Sequence, residues 1–175
     1  EFRRVLFRSI FVSIHADSLH PSLRGAMVYV PGADYRGGSY GKSGNVYSAR
    51  REVRERPQVS YSSRERIESE GLSRDLAGHL LDSFAAQRLL VHPDKPIRSK
   101  VVRGRRAYVP AVIRYNAIPA KVLFEVCNLA NSRDRELIQT ARFRQQVADA
   151  LVRGILSYYG QAHEAADPLV AVTGG

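Results

Sequence analysis

Two apolar, β-branched runs constrain this chain most: Phe11-Val-Ser-Ile-His15-Ala-Asp-Ser18 and Lys121-Val-Leu-Phe-Glu125-Val-Cys-Asn128. Near-continuous Val, Ile, Leu and Phe over four to eight residues is the signature of a strand covered on both faces, as in an α/β sheet. Each run then presents one reactive side chain, His15 in the first and Glu125 in the second. Neighbouring strands that end this way deliver functional groups to one cleft. An imidazole that can ligate a metal and a carboxylate that can move protons are the pairing metal-assisted hydrolysis requires.

The rest of the chain supports an α/β layer structure. Ile10–Ile14, Ala26–Val30, Val109–Arg114 and Ala120–Val126 read as strands, with a Pro119 turn before the last. Leu72, Leu76, Leu80, Phe84 and Leu89 recur at helical spacing, and that helix ends before Pro93. Asn131 or Ser132 caps a short helix with Asp134 near its positive end. After Thr140 a longer helix carries Phe143, Val147, Leu151, Ile155 and Tyr158 on one face. The expectation is one domain over residues 10–160, with a twisted, mostly parallel or mixed central sheet flanked by helices. Residues 33–71, Gly-punctuated and then charged, read as a solvated insertion with a short helix around Arg50–Arg56. Residues 161–175 are small and non-periodic, and are expected to be a disordered tail.

Residues 1–9 stand apart. Glu1-Phe-Arg-Arg-Val-Leu-Phe-Arg-Ser9 has no initiator methionine, and its codons can be written as a short-read sequencing adapter. The expectation is therefore an assembly artefact, left out of fold reasoning. A signal peptide fits less well, because Arg8 interrupts the apolar stretch and no small-residue cleavage site follows.

Composition narrows the classes. With 44% hydrophobic and 25% charged residues the chain is not wholly disordered. No apolar run reaches the roughly 18 residues a membrane helix needs. The single Cys127 forms no internal disulfide and, without a His partner evident in the sequence, reads as a buried inert thiol. A net charge of +10 favours polyanionic partners: nucleic acid, anionic lipid or an acidic polymer. The densest basic run, Arg50 to Arg66, also holds Glu52, Glu55 and Glu65, so a nucleic-acid-binding module is the alternative rather than the first reading. His20, His79, His92 and His163 lack metal-ligand spacing. Gly37-Gly-Ser-Tyr-Gly41-Lys42-Ser43 imitates a phosphate loop, but Arg36 stands where that pattern needs glycine.

In the order of its motifs the chain resembles the catalytic domain of zinc-dependent N-acetylmuramoyl-L-alanine amidases, which remodel bacterial peptidoglycan. The resemblance lies in Ser13-Ile-His15-Ala-Asp17 followed by Gly25-Ala-Met-Val-Tyr29, then Val112-Ile-Arg114, Ile118-Pro119, Val122-Leu-Phe-Glu125, Leu129-Ala-Asn131 with Asp134, and the closing helix into Tyr158-Tyr159. Asp17 stands where the family usually has Asn, and Cys127-Asn128 replace a common Gly-Phe. The resemblance implies a zinc cofactor with His15 as one ligand, Glu125 as catalytic acid/base and Asp17 orienting His15. It also implies peptidoglycan as partner, an activator protein in some members, and a periplasmic, envelope or extracellular setting. The family's Gly-His-Gly loop and ligand glutamate precede the Ser-Ile-His motif and have no counterpart here, so the expectation is a truncated domain lacking two zinc ligands and its first strand and helix. Some relatives hold an inhibitory helix in an insertion, which makes residues 36–70 a candidate regulatory element.

Overall fold

The computed structural model describes residues 9–35, 37–39, 49–55 and 57–164. The glycine loop from 40 to 48, most of the expected artefact (1–8) and the end of the expected tail (165–175) lie outside them. Thirteen elements follow in order: β1 (Ile10–Asp17), β2 (Met27–Tyr29), β3 (Gly37–Ser39), α1 (Arg51–Glu55), β4 (Gln58–Ser60), α2 (Ser63–Ala86), β5 (Ile97–Arg98), β6 (Val101–Arg103), β7 (Arg106–Tyr108), α3 (Ala111–Arg114), β8 (Ala120–Asn128), α4 (Ser132–Gln139) and α5 (Ala141–Glu164).

The four-stranded sheet runs β1-β8-β2-β5, and helices flank it, as the α/β expectation required. β2 and β5 pair in parallel, with Val28 opposite Ile97. Two antiparallel ribbons, β3 with β4 and β6 with β7, complete the strands. Gly104 turns the second ribbon at φ +59. β8 is buried at all nine positions, which explains its unbroken apolar reading.

Several boundaries differ from the sequence reading. β1 continues to Asp17, so His15 lies within the strand rather than beyond its end. β8 likewise runs three residues past Glu125. The expected strand at Val109–Arg114 is a helical turn, α3. Its β-branched residues suit a strand, but Pro110 has no amide for a ladder, and its carbonyl accepts from the Ile113 and Arg114 amides at 3.1 and 2.9 Å. α2 starts nine residues before the first apolar residue of its stripe. Ser62 and Glu65 form a reciprocal capping box: the Ser62 amide donates to Glu65 Oε2 at 2.7 Å and the Glu65 amide to Ser62 Oγ at 3.2 Å. The charged half of the expected insertion thus carries α1 and the first turns of α2, with β4 between them. The helix ends where Arg88 takes a left-handed φ of 58 and the Leu89 amide reaches back to the Phe84 carbonyl at 3.0 Å.

By its internal contacts the chain forms two compact units. The first comprises Glu1–Ile14, Val28–Arg74 and Ile97–Phe124, the second His15–Met27, Asp75–Pro96 and Glu125–Gly175. Val30, Tyr35, Ile113, Val122 and Phe124 are buried in the first. Leu76, Leu80, Phe84, Phe143, Val147, Leu151 and Tyr158 are buried in the second; the last four belong to the predicted stripe of α5, whose fifth member, Ile155, is half-buried. Gly154 in that helix sits against α2: an added Cβ would lie 2.8 Å from Leu80 Cα and 2.9 Å from the His79 carbonyl oxygen. Alanine normally helps a helix by up to about 1 kcal/mol over glycine. Here the two backbones must separate, so Gly154→Ala is expected to destabilise by about 1–3 kcal/mol, measured by urea unfolding.

Candidate functional site

His15, Asp17, Glu125 and Cys127 all belong to the second unit. His15 and Asp17 are two residues apart on β1 and share a face of that strand. The Leu129 amide donates to the Asp17 carbonyl at 2.7 Å, tying the end of β1 to the residue just after β8.

Glu125 is 6% exposed, and its Oε2 has no hydrogen-bond partner among the described residues. Burial, and secondly the negative charge of Asp17, push its carboxyl up to about 7. The Arg114 guanidinium stacks on the Tyr115 ring, 4.6 Å from its centroid. A carboxyl poised between acid and base at neutral pH is suited to carry a proton in both directions. Asp17 Oδ1 accepts from the Ser18 amide at 2.6 Å, and its Oδ2 is also buried without a partner. The arrangement couples Asp17 to Glu125 electrostatically.

Beside this pair a polar cluster fixes the segment that follows His15. The Asn128 carboxamide uses its full capacity: Oδ1 accepts from the Leu19 and Ala130 amides at 2.9 and 3.0 Å, and Nδ2 donates to the His20 and Leu23 carbonyls at 2.9 and 2.8 Å. Asp134, buried in the first turn of α4, accepts from Arg24 Nε at 2.8 Å and from the Gly25 and Asn128 amides at 3.1 and 3.0 Å. Of the two predicted caps, Asn131 and Ser132, it is Asn131 that caps α4, accepting from the Arg133 and Asp134 amides. Gly25 is required: its φ is +93, and a Cβ would lie 2.8 Å from the Val91 carbonyl carbon. The sequence marks Asp134 by its place near a helix end and in the family's motif order, and Asn128 as a departure from the family pattern, without the partners found here.

The remaining candidates fall into bland roles. Cys127 is buried, and desolvation, with the charges of Asp134 and Glu125, pushes its thiol up to about 11, so it holds no thiolate at neutral pH. His20 Nδ1 pairs with Ser22 Oγ at 2.7 Å, His79 Nδ1 with Ser157 Oγ at 3.0 Å, and buried His92 accepts from the Asp94 amide at 3.1 Å. In the basic run, Arg51 pairs with Glu55, and Arg66 spends its guanidinium on the Ala33 and Tyr61 carbonyls and Ser63 Oγ. That engagement leaves less free charge for nucleic acid than the sequence count indicates.

The motif order and the sheet with His15 and Glu125 on adjacent strands together define an α/β domain that presents an imidazole and a carboxyl from neighbouring strands. The chain belongs to the N-acetylmuramoyl-L-alanine amidase family, whose profile matches residues 7–157. Among similar proteins, N-acetylmuramoyl-L-alanine amidase AmiA of Escherichia coli (strain K12) is 26% identical over 157 residues, which is 86% of this chain and 52% of AmiA. The fold matches the crystal structure of the amidase Ami1 from Mycobacterium smegmatis with a TM-score of 0.57 at 23% identity, covering 87% of this chain and 54% of that one. It also matches the CwlD amidase from Clostridioides difficile, solved in complex with the GerS lipoprotein, with a TM-score of 0.50 at 16% identity, covering 86% and 54%. The chain spans about half the length of the relatives it matches.

The family is generally zinc-dependent. A catalytic zinc takes three protein ligands, and among the described residues no group of three or more His, Cys, Asp or Glu side chains is gathered to hold a metal ion. The described residues therefore do not fit a catalytic zinc by themselves.

Proposed function

We propose that this chain is the part of a peptidoglycan amidase that supplies the proton-transfer carboxylate for cleaving the amide between N-acetylmuramic acid and L-alanine. The observation that carries this reading is Glu125, buried, unpartnered at Oε2 and held near a neutral-pH proton affinity beside Asp17. In the reaction, water adds to the amide carbonyl carbon and Glu125 takes its proton. As the carbon–nitrogen bond breaks, the same carboxyl returns that proton to the departing amine of L-alanine. His15 is the candidate metal-ligating imidazole, with Asp17 in its vicinity on the strand.

We also propose that hydrolysis needs ligands beyond the described residues, and that the 175-residue chain alone neither holds zinc tightly nor cleaves the amide. Residues 1–9 as an artefact and 36–70 as a regulatory element remain part of this reading, whereas the first four residues of the expected tail, 161–164, belong to α5. Peptidoglycan as the substrate places the protein in the cell envelope or outside the cell; among the described residues no helix is long and apolar enough to cross a membrane. An activating protein partner is a further proposal, supported by the GerS lipoprotein bound to CwlD.

Two measurements test the reading. Calorimetric titration of the 175-residue chain with zinc is expected to show weak binding without one-to-one stoichiometry. Tight one-to-one binding abolished by His15→Ala overturns the incomplete-site proposal. Mass spectrometry of muropeptides treated with the domain extended to the length of its relatives is expected to show peptides with a free L-alanine amine; intact muropeptides, with zinc present, overturn the amidase reading.

A further inference from the structure

The second strand motif begins with a residue that its neighbours do not explain. Lys121 opens the apolar run of β8 and is 1% exposed, although lysine is almost never fully buried unless paired. Its ammonium lies over the rings of Tyr61 and Tyr35, 5.0 and 5.8 Å from their centroids. Those two rings pack at 5.6 Å. Rings favour a cation over their faces but do not replace the hydrogen bonds of water. The carboxylate whose charge reaches Lys121 is Glu65, and that group is committed to Ser62, accepting from its amide and its hydroxyl at 2.7 Å each. Burial accordingly pushes the ammonium down to about 8.

Lys121 also borders a cavity of about 560 Å³, inside the range of small-molecule sites. Tyr61, Tyr115 and Pro119 give it apolar walls, and Glu65 and Glu68 add carboxylates. The whole cavity lies within the first compact unit. Its backbone frame is fixed: Ser69 Oγ donates to the Pro119 carbonyl at 2.7 Å, the Lys121 amide donates to Ser73 Oγ at 3.0 Å, and the Tyr61 hydroxyl donates to the Asn116 carbonyl at 2.7 Å.

We infer that this cavity is a binding site for a zwitterionic amino acid or short peptide, with its carboxylate at Lys121, its ammonium toward Glu68 and its apolar part against Tyr61, Tyr115 and Pro119. The charge balance selects this class. One ammonium against two carboxylates gives the lining a net negative charge, which repels a dianion such as phosphate. It also leaves a lone cation disfavoured at the Lys121 end. A ligand carrying one charge of each sign satisfies both ends. This site is separate from the Glu125 chemistry and does not depend on the amidase reading.

The test is calorimetry on the 175-residue chain at pH 7 with alanyl-leucine, its C-terminal amide, its N-acetyl derivative and inorganic phosphate. The free dipeptide is expected to bind saturably at one site, and the amide at least tenfold more weakly. Lys121→Met is expected to weaken the dipeptide by a similar factor. Exposed Glu68→Gln is expected to weaken the free dipeptide severalfold while leaving the N-acetyl form unchanged. Should Lys121→Met fail to fold, the amide and Glu68→Gln comparisons decide alone. No saturable heat up to about 10 mM, phosphate binding as tightly as the dipeptide, or equal affinity for the amide overturns the inference.

Discussion

Glu125→Gln is expected to abolish hydrolysis in the domain extended to its relatives' length, with a loss of about 10²–10⁴-fold set by the proton-transfer role. The same substitution should leave the isolated chain at least as stable at pH 8. The two effects have one cause. Burial raises the Glu125 carboxyl to about 7, so between its ordinary value of 4.5 and 7 the folded chain binds more protons at this site than the unfolded chain. Stability then falls as pH rises through that window, because the folded state must ionise a buried group that ionises more readily when unfolded. Above 7 both states are charged and the loss is complete. A neutral glutamine removes the titration. Urea unfolding in the presence of a chelator, from pH 4 to 8, should show a falling trend between about 4.5 and 7 in the wild type and a flatter one in the variant. A parallel pair of curves would remove the basis for reading Glu125 as a strained, functional carboxyl. Retained amide cleavage by the variant would separately remove it from the chemistry.

What the sequence made legible was the part governed by local periodicity. The stripe of α5 and the Asn131 cap need only residues three to eight apart, and both are present. β1 and β8 were legible because a run this rich in apolar, β-branched residues admits few alternatives to a covered strand. The failures have physical reasons as local as the successes. At Val109–Arg114 the branched side chains favour a strand, but Pro110 has no amide to give a ladder, and the backbone follows the proline. The first turns of α2 are polar on every side, so no stripe announces them, yet Ser62 and Glu65 spell the capping box that starts the helix. Short ribbons such as β6–β7 hold no buried face that would give a period-two signal, and the described side chains of β7 are all exposed. Glu125 could be singled out in the sequence because a carboxylate inside an apolar run is costly to bury. Lys121 carries the same signal four residues earlier, inside the expected strand Ala120–Val126. Asn128 could not be assigned at all, since its four partners include residues more than a hundred positions away.

That long-range cluster sets the largest expected loss of stability. Asp134 is 2% exposed and accepts three donors: Arg24 Nε and the amides of Gly25 and Asn128. Asp134→Ala leaves two buried amides without an acceptor, at about 1–3 kcal/mol each. It also strands the Arg24 guanidinium, whose partial exposure at 29% lets water recover some of that loss. The expected destabilisation is about 3–5 kcal/mol, a large share of the 5–15 kcal/mol that holds a domain folded. Asp134→Asn keeps one acceptor oxygen and directs an NH₂ at one of the former donors, so it should fall between wild type and alanine. Arg24→Met removes only the half-exposed arm and should cost least. The ordering Arg24→Met, Asp134→Asn, Asp134→Ala, read from urea midpoints at constant slope, distinguishes an acceptor of backbone amides from a simple ion pair. In a simple ion pair, removing either partner would cost about the same. The consequence reaches the candidate site, because the Gly25 and Asn128 amides bracket the loop that leaves β1 two residues after His15. Amide hydrogen exchange across residues 18–25 should therefore accelerate in Asp134→Ala more than in Gly154→Ala, even where the two variants are compared at equal global stability.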